Sequence, residues 1–194
     1  MANSPNKVEF GIKDLYVGTY TVGTTGTVTL GTPYHQAGAV NFSPDENAEA
    51  NNFYADNSIY YTSYTGGTFE GDLEVALFDD AFKTQFLGYE TLDDGGVANI
   101  KGAVKPSVYI MFEVSGDVEA RRVIFYNCSL GGITREYATT EDSIEPVTET
   151  IAVTVAGDNG TGISKVTYTK TATGYATLFT NPPVPTLPTI VTTS

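Results

Sequence analysis

The clearest pattern in the chain is a strict alternation of apolar and polar residues over Thr68–Leu77. Successive side chains of a strand point to opposite faces, so this run predicts a strand with one face on a core and the other in water. A Tyr- and Ile-rich run at 56–64 predicts an earlier strand, and Gly66-Gly67 predicts a turn between the two. The alternating strand has Phe69, Gly71, Leu73, Val75 and Leu77 on one side, and Thr68, Glu70, Asp72, Glu74 and Ala76 on the other.

A short helix is predicted directly after this strand, at about residues 79–87. Asp79 and Asp80 are suited to cap its positive amino end. Phe82 and Phe86 are four residues apart and share one face, and Gly88 is a typical carboxyl-terminal stop. Because a helix of two turns is unstable alone in water, its Phe face is expected to pack on a sheet.

The remaining pattern predicts a mainly β fold, a β-sandwich or barrel with this one flanking helix. The run at 119–128 is apolar on both faces, so it is expected in the centre with both faces covered, the helix lying over one. Pro44 is expected to interrupt the strand that begins at Ala39. Strands are also predicted at 7–17, 107–115, 147–156 and 163–170, a long loop or loose hairpin at 18–38, a strand edge or loop at 45–52, and a loop at 131–142.

Composition and charge narrow the class of protein. The 194 residues favour one domain with a real core. The net charge of −13 argues against binding to nucleic acid or to anionic membranes. The single cysteine, Cys128, excludes an intrachain disulfide and is expected to be a buried thiol. No signal-peptide or membrane-spanning run is present in the sequence, so folding in a cytoplasm is expected.

No catalytic, cofactor-binding or metal-binding constellation is predicted, and the protein is not expected to be an enzyme. His35 is the only histidine, in a Gly-rich segment typical of a loop. No phosphate-binding glycine motif or nucleophile elbow occurs. The acidic pairs at 45–46, 79–80 and 93–94 lack calcium-loop spacing and suit caps and turns better. A phage-borne glycan hydrolase needs two carboxyl groups across a cleft, which the sequence does not indicate.

Five segments stand in order along the chain: NKVEFGIKDLYVG, NNFYADNSIYY, FEGDLEVALFDDAFKTQFLG, VYIMFEVSGDVEARRVIFYNCSL and EDSIEPVTETIAVTV. Together they resemble the major tail proteins of bacteriophages with long, non-contractile tails, in particular the phi13-type group. The resemblance covers roughly residues 6–170. It is weaker over the Thr-rich stretch at 19–32, and it does not extend past 171.

The resemblance implies a β-sandwich flanked by a helix, whose subunits form hexameric rings. Each subunit contributes strands to a continuous β-barrel around a lumen, and stacked rings form the tail tube of the virion. The implied partners are further copies of the chain, the tape-measure protein, and the tail-terminator and distal tail proteins. Assembly in the host bacterial cytoplasm, passage of DNA without specific binding, no membrane and no cofactor are implied as well.

Two sets of residues become candidate sites on this interpretation. The lumen face is assigned either to the acidic side of the alternating strand or to a Thr-rich strand face, although both could equally be ordinary solvated faces; the candidates are Glu70, Asp72, Glu74, Thr148, Thr150 and Thr154. Contact arms between subunits or rings are assigned to Thr24, Thr25, Asp45, Glu46, Asn51, Pro182 and Pro185. The domain is placed at 1–170, and the Pro-rich 171–194 is either an arm on a neighbour or a disordered tail.

One alternative stays open, a capsid decoration protein or another β-sandwich interaction module. A cell-surface adhesin is disfavoured because the sequence has no signal peptide or anchor. Composition does not separate a decoration protein from a tail protein, and only the family resemblance favours the latter.

Overall fold

The computed structural model describes residues 11–55, 58–137 and 147–187, which form a mainly β fold with one short helix. This confirms the predicted fold class. The elements in chain order are β1 Ile12–Val22, β2 Val28–Leu30, β3 Tyr34–Gln36, β4 Ala39–Ala55, β5 Ser58–Val75, α1 Asp80–Phe86, β6 Tyr89–Thr91, β7 Val97–Asn99, β8 Val108–Val114, β9 Arg122–Arg135, β10 Glu149–Val155 and β11 Lys165–Tyr168.

One antiparallel sheet carries most of the described chain, in the order β2-β1-β8-β9-β10-β5-β4. β3 pairs with β1, β11 pairs with β9, and β6 and β7 form a separate hairpin. The sheet curls so that its β4 end faces β8 and β9, since the Phe42 ring of β4 lies 5.4 Å from the Phe125 ring of β9 and 5.9 Å from the Phe112 ring of β8. The β5–β10 part therefore packs over the β8–β9 part in the manner of a sandwich.

The first core fills the space inside this curl. Leu73 and Val75 of β5 are fully buried there with Ile151 of β10, as the alternation predicted. Helix α1 adds Phe82 and Phe86, which are also buried. The rings of Phe78 and Phe82 stack at 4.7 Å, so the helix is held by apolar contacts of its predicted face.

The amino end of α1 is fixed by Asp79. One of its carboxylate oxygens accepts the backbone N–H of Phe82 at 2.7 Å, and the other accepts the hydroxyl of Tyr34 at 2.5 Å. The hydrogen bond to Asp79, together with burial, raises the pKa of Tyr34 to about 12. A single side chain thus caps the helix and links it to β3.

The second core lies on the other face of β1, β8 and β9, and residues 171–187, here called the C-terminal cover, close it. Leu178 of the cover is fully buried against Tyr109, Ile124 and Tyr126. The hydroxyl of Tyr126 donates to the carbonyl of Pro183 at 2.9 Å. β9 is central and covered on both faces, as predicted. The face that lies in the second core is covered by the C-terminal cover and not by the helix.

A buried carboxylate joins the sheet to the cover. Glu113 of β8 accepts from Lys13 at 2.9 Å and from Arg122 at 3.1 Å. The Arg122 guanidinium lies between the rings of Tyr175 and Phe179, 4.2 and 4.3 Å from their centres, and donates to the Tyr175 carbonyl at 2.7 Å. Burial opposes ionisation of Glu113, but the two cations outweigh it and hold its pKa below the usual range.

The structure corrects the predicted turn at Gly66-Gly67. β5 runs unbroken from Ser58 to Val75, and the glycines form a bulge in its ladder with β4. Gly67 has a φ of 105°. Glycine adopts a positive φ both in bulges and in turns, so the Gly-Gly signal in the sequence fits either. β4 also continues through Pro44, which faces Gly71; a Cβ on Gly71 would lie 2.0 Å from the Ser43 carbonyl oxygen, so glycine permits the close approach.

Two predicted loops contain strands. Residues 18–38 hold the end of β1, with β2 paired to it as a short hairpin, followed by β3. Residues 131–135, expected in a loop, belong to β9 because they pair with β10. Their Gly-rich sequence gives no local signal of this pairing. Parts of the predicted runs at 7–17 and 56–64, together with residues 138–142 of the predicted 131–142 loop, fall outside the described residues.

We predict that Asp79→Ala destabilises the protein by about 1 kcal/mol, because an amino-terminal hydrogen bond of α1 is lost. Urea unfolding monitored by circular dichroism measures the change. Asp80→Ala is the matched control, since Asp80 lies in the same turn but pairs only with Lys83 at 3.4 Å on an exposed surface. Equal losses in the two variants would contradict the capping role.

We predict that Glu113→Gln destabilises the protein by about 2 kcal/mol at neutral pH, where the native carboxylate is paired with two cations. Because the folded pKa is lowered, the contribution is complete above the unfolded pKa and is lost as the pH falls through the folded pKa. Urea unfolding of both proteins between pH 7 and pH 3 tests this. A difference independent of pH would contradict it.

Candidate functional site

A continuous polar face covers the outer side of β4, β5, β10 and the end of β9. Antiparallel partners share a face, so the register decides which side chains are neighbours. Glu74, Asp72 and Glu70 of β5 lie opposite Thr150, Ala152 and Thr154 of β10, respectively. The polar face consists of Asn41, Ser43, Asp45, Glu70, Asp72, Glu74, Ser129, Thr134, Thr150, Ala152 and Thr154.

The strand register shows that the two surfaces predicted as alternative lumen faces are parts of one surface. The acidic side of β5 and the Thr-rich side of β10 are adjacent rows of one surface. Thr148, just before β10, donates its hydroxyl to the Glu74 carboxylate at 2.5 Å and joins the same rows. All six residues predicted for the lumen face are therefore neighbours in space.

The polar face carries negative charge without compensation. Four of its residues are carboxylates, and Asp45 stands directly opposite Glu70. No Lys or Arg occupies a register position of this face within the described parts of the four strands. The opposite side of the same strands is the first core, so the carboxylates are held on a rigid support, pointing away from it.

Beyond the polar face, β4 and β5 continue as a two-stranded arm. β10 pairs with β5 only over residues 69–75, whereas β4 pairs with β5 out to Ala55 and Ser58. The bulge at Gly66-Gly67 lies where the arm begins, and the Gly67 N–H donates to the Glu46 carboxylate at 3.1 Å. A hairpin of two strands without a third is marginally stable in water, so this arm is suited to contact another molecule.

The residues predicted as contact arms are found in four different places. Thr24 and Thr25 are exposed in the turn between β1 and β2. Asp45 belongs to the polar face, Glu46 begins the arm, and Asn51 pairs with Ser63 within it. Pro182 and Pro185 are buried in the C-terminal cover of their own chain.

Sequence reasoning missed the outer rows of the polar face. Asn41 and Ser43 come from β4, where Pro44 obscures the alternation, and Ser129 and Thr134 come from the part of β9 around Gly131-Gly132. The period of two in Asn41, Ser43 and Asp45 was the available signal. Nothing in the sequence indicated that β9 reaches this face, since that depends on its pairing with β10.

The cysteine and the histidine both contact groups that belong to the fold. Cys128 is fully buried, which raises the pKa of its thiol. The exposed ring of His35 lies 4.9 Å from the ring of Tyr16. Across 11–55, 58–137 and 147–187, no three His, Cys, Asp or Glu side chains are grouped to hold a metal ion. No helix in those ranges is long and apolar enough to cross a membrane.

We predict that Glu70→Gln increases stability slightly, by less than about 1 kcal/mol, because it relieves repulsion across the Asp45–Glu70 pair. The gain should vanish in 1 M salt, which screens exposed charges. Urea unfolding at low and high salt measures it, with Glu90→Gln on the β6–β7 hairpin as an exposed control. A loss of stability would show that the carboxylate has a structural role.

Comparison with known proteins gives three findings. A family described as phage tail tube protein matches residues 2–169. Comparison with curated proteins finds no similar sequence. Among solved structures, the tube-terminating cap of an anti-feeding prophage is similar with 13% identity and a TM-score of 0.49, over 87% of this chain and 99% of that one.

Proposed function

Since the chain belongs to the phage tail tube protein family, we propose that it assembles into hexameric rings that stack into the tube through which DNA leaves the virion. A phage tail structural protein of this kind works through its surfaces and not through a catalytic centre. The observation that supports the proposal most directly is the polar face, a four-strand surface with four carboxylates and no cation in its described register.

The chemistry of the polar face suits the inner wall of such a tube. A protein that holds DNA does so by neutralising phosphates with Lys and Arg. A wall of carboxylates and hydroxyl groups repels or ignores phosphates, and in physiological salt its field decays over about 8 Å. DNA therefore passes along the wall without pausing at bound phosphates. The Thr hydroxyls and the Asn41 amide keep the surface hydrated between the carboxylates.

Ring formation would also pair a long strand edge that is unpaired in the isolated chain. β4 is an edge strand of 17 residues, and long unpaired edges are templates for association. Closure of several copies into a barrel pairs each such edge with a neighbour. The arm of β4 and β5 and the turn at Thr24-Thr25 are the surfaces we assign to contacts between rings. Pro182 and Pro185 are assigned to a packing role instead, because they are buried in the C-terminal cover.

The remaining partners follow from the family resemblance. A tube of defined length needs a tape-measure protein inside it during assembly, and tail-terminator and distal tail proteins at its ends. We place assembly in the host bacterial cytoplasm and the mature protein in a long non-contractile tail. Membership of the phi13-type group stays a prediction.

We predict that replacing Glu70, Asp72 and Glu74 together by Lys slows or arrests DNA ejection from otherwise normal virions, because the wall then binds phosphates. Ejection triggered in vitro and followed by a DNA-binding dye measures the rate, and electron microscopy checks that tails form. Lys at Glu90, Asp93 and Asp94 on the β6–β7 hairpin is the control with the same change of charge. Normal ejection from tails that carry the first triple variant would count against a lumen position.

The purified protein provides the direct test of assembly. Negative-stain electron microscopy over a range of concentrations is expected to show rings or tubes with a central hole, either unaided or after addition of the tail-tip complex and tape-measure protein. Particles that stay monomeric under both conditions would contradict the proposal.

A further inference from the structure

The loop at 156–164, which joins β10 to β11, contains the only Asn-Gly pair in the sequence, Asn159-Gly160. A glycine after asparagine favours spontaneous deamidation, because without a Cβ its amide nitrogen can approach the preceding side chain closely. The Gly160 nitrogen loses its proton and attacks the Asn159 side-chain carbon Cγ, and Nδ2 leaves as ammonia. Water then opens the cyclic imide to aspartate or isoaspartate. The Asn159 side chain is exposed, so water reaches it.

The structure engages the attacking nitrogen in a hydrogen bond. The Gly160 N–H donates to Oδ2 of Asp158 at 3.1 Å, and the same oxygen accepts the backbone N–H and the hydroxyl of Thr161, each at 2.7 Å. Burial opposes ionisation of Asp158, but the hydrogen bonds that it accepts, chiefly from Thr161, outweigh burial and hold its pKa below the usual range. Loss of the Gly160 proton would create a negative nitrogen beside this carboxylate, which like-charge repulsion disfavours.

The side chain that would be attacked is restrained as well. Oδ1 of Asn159 accepts from Nδ2 of Asn127 in β9 at 3.0 Å. The same Nδ2 group donates to the Gly157 carbonyl at 2.9 Å, so Asn127 is itself fixed to the loop. Ring closure requires the Asn159 side chain to rotate until Cγ meets the nitrogen. The hydrogen bond to Asn127 restricts that rotation.

Tyr20 of β1 fixes the loop from the other side. Its hydroxyl donates to Oδ1 of Asp158 at 2.8 Å and accepts the backbone N–H of Asn159 at 3.1 Å. Tyr20 and Asp158 are both 3% exposed, so water does not compete for this contact. The Asp158 N–H donates to the Ile163 carbonyl at 2.9 Å, and the Gly162 N–H donates to the Asp158 carbonyl at 2.8 Å. Both side-chain oxygens and both backbone groups of Asp158 are therefore bonded within the fold.

We infer that Asn159-Gly160 is a deamidation site that the fold keeps unreactive, and that the contact between Tyr20 and Asp158 is what protects it. This protection is a property of the single chain and does not depend on ring formation. Conversion of Asn159 to isoaspartate would add one carbon to the main chain of the turn and remove the hydrogen bond to Asn127. A virion component is not resynthesised after release, so an unreactive loop preserves the fold for the life of the particle.

Gly160→Ala provides a chemical control for the reaction itself. Gly160 does not have a positive φ, and a Cβ there would lie 3.5 Å from Oδ2 of Asp158, an ordinary contact. Alanine therefore fits the loop without strain. Its methyl group hinders the approach of the nitrogen to the Asn159 side chain, so a modification at this site should become much slower in any variant that also carries Gly160→Ala.

Peptide mass spectrometry of purified protein after long incubation in mildly alkaline buffer tests the protection. The samples are the native wild type, the wild type unfolded in urea, Tyr20→Phe and Tyr109→Phe. Tyr109→Phe is the matched control, because it removes another hydroxyl of the second core, which donates to the Gly31 carbonyl at 2.6 Å and not to the loop. Urea unfolding of both variants reports any difference in their overall stability.

We expect Asn159 in the native wild type to deamidate at least about tenfold more slowly than in the unfolded chain, because hydrogen bonds to a carboxylate are worth at least this factor. Tyr20→Phe should recover much of the unfolded rate, Tyr109→Phe should not, and adding Gly160→Ala to Tyr20→Phe should slow the reaction again. Equal rates in the native and unfolded wild type would overturn the protection. Equal rates in the two tyrosine variants would overturn the role of Tyr20.

Thr161→Val keeps the test decisive should Tyr20→Phe fail to fold. Thr161 is only half-buried, and the variant removes a different donor to Asp158. It is expected to speed deamidation of Asn159 in the same direction, and an unchanged rate would overturn the role of the Asp158 carboxylate. All of these rates are measured on unassembled protein, so a negative result leaves the proposed function standing, and a failure to form rings leaves the protection standing.

Discussion

The structure depends on one constraint, the need to cover both faces of β9. This strand pairs with β8, β10 and β11, and its residues alternate between two cores, with Phe125 in the first and Ile124 in the second. Each apolar face must be removed from water, and a different part of the chain covers each one. The curled β4–β5–β10 layer and α1 close the first core, and residues 171–187 close the second.

The same constraint explains how the polar face is formed. Because the inner side of β5 and β10 is committed to the first core, their outer side is free to carry carboxylates and hydroxyls at no cost in packing. Asp45, Glu70, Asp72 and Glu74 remain exposed or half-exposed there. In the proposed tube, this sheet, anchored by the core on its far side, would serve as the wall.

The C-terminal cover shows how a region outside the family match contributes. The family model ends at residue 169, whereas Leu178 is fully buried in the second core and the Arg122 guanidinium lies between Tyr175 and Phe179. Its Pro-rich composition was consistent with an arm or with disorder, because proline signals only the absence of regular hydrogen bonding. Burial of Pro182 and Pro185 is a property of the surface beneath them, which local sequence does not encode.

The sequence by itself determined the elements whose signals are local. The alternation at 68–75, the capped helix with Phe82 and Phe86, and the doubly apolar strand from Arg122 to Cys128 were predicted correctly, since side-chain period and caps depend only on near neighbours. Leu77, predicted on the core side, lies beyond the end of β5 and is 51% exposed. The sequence also placed Glu70, Asp72 and Glu74 together on one face. It did not distinguish a bulge from a turn at Gly66-Gly67, because both use the same positive φ. Only the tertiary structure decided that the acidic row and the Thr150–Thr154 row are one surface, that Ser129 and Thr134 extend it, and that β4 and β9 end it. Those facts depend on pairing between strands far apart in the chain, and pairing is set by how the whole sheet curls around its core.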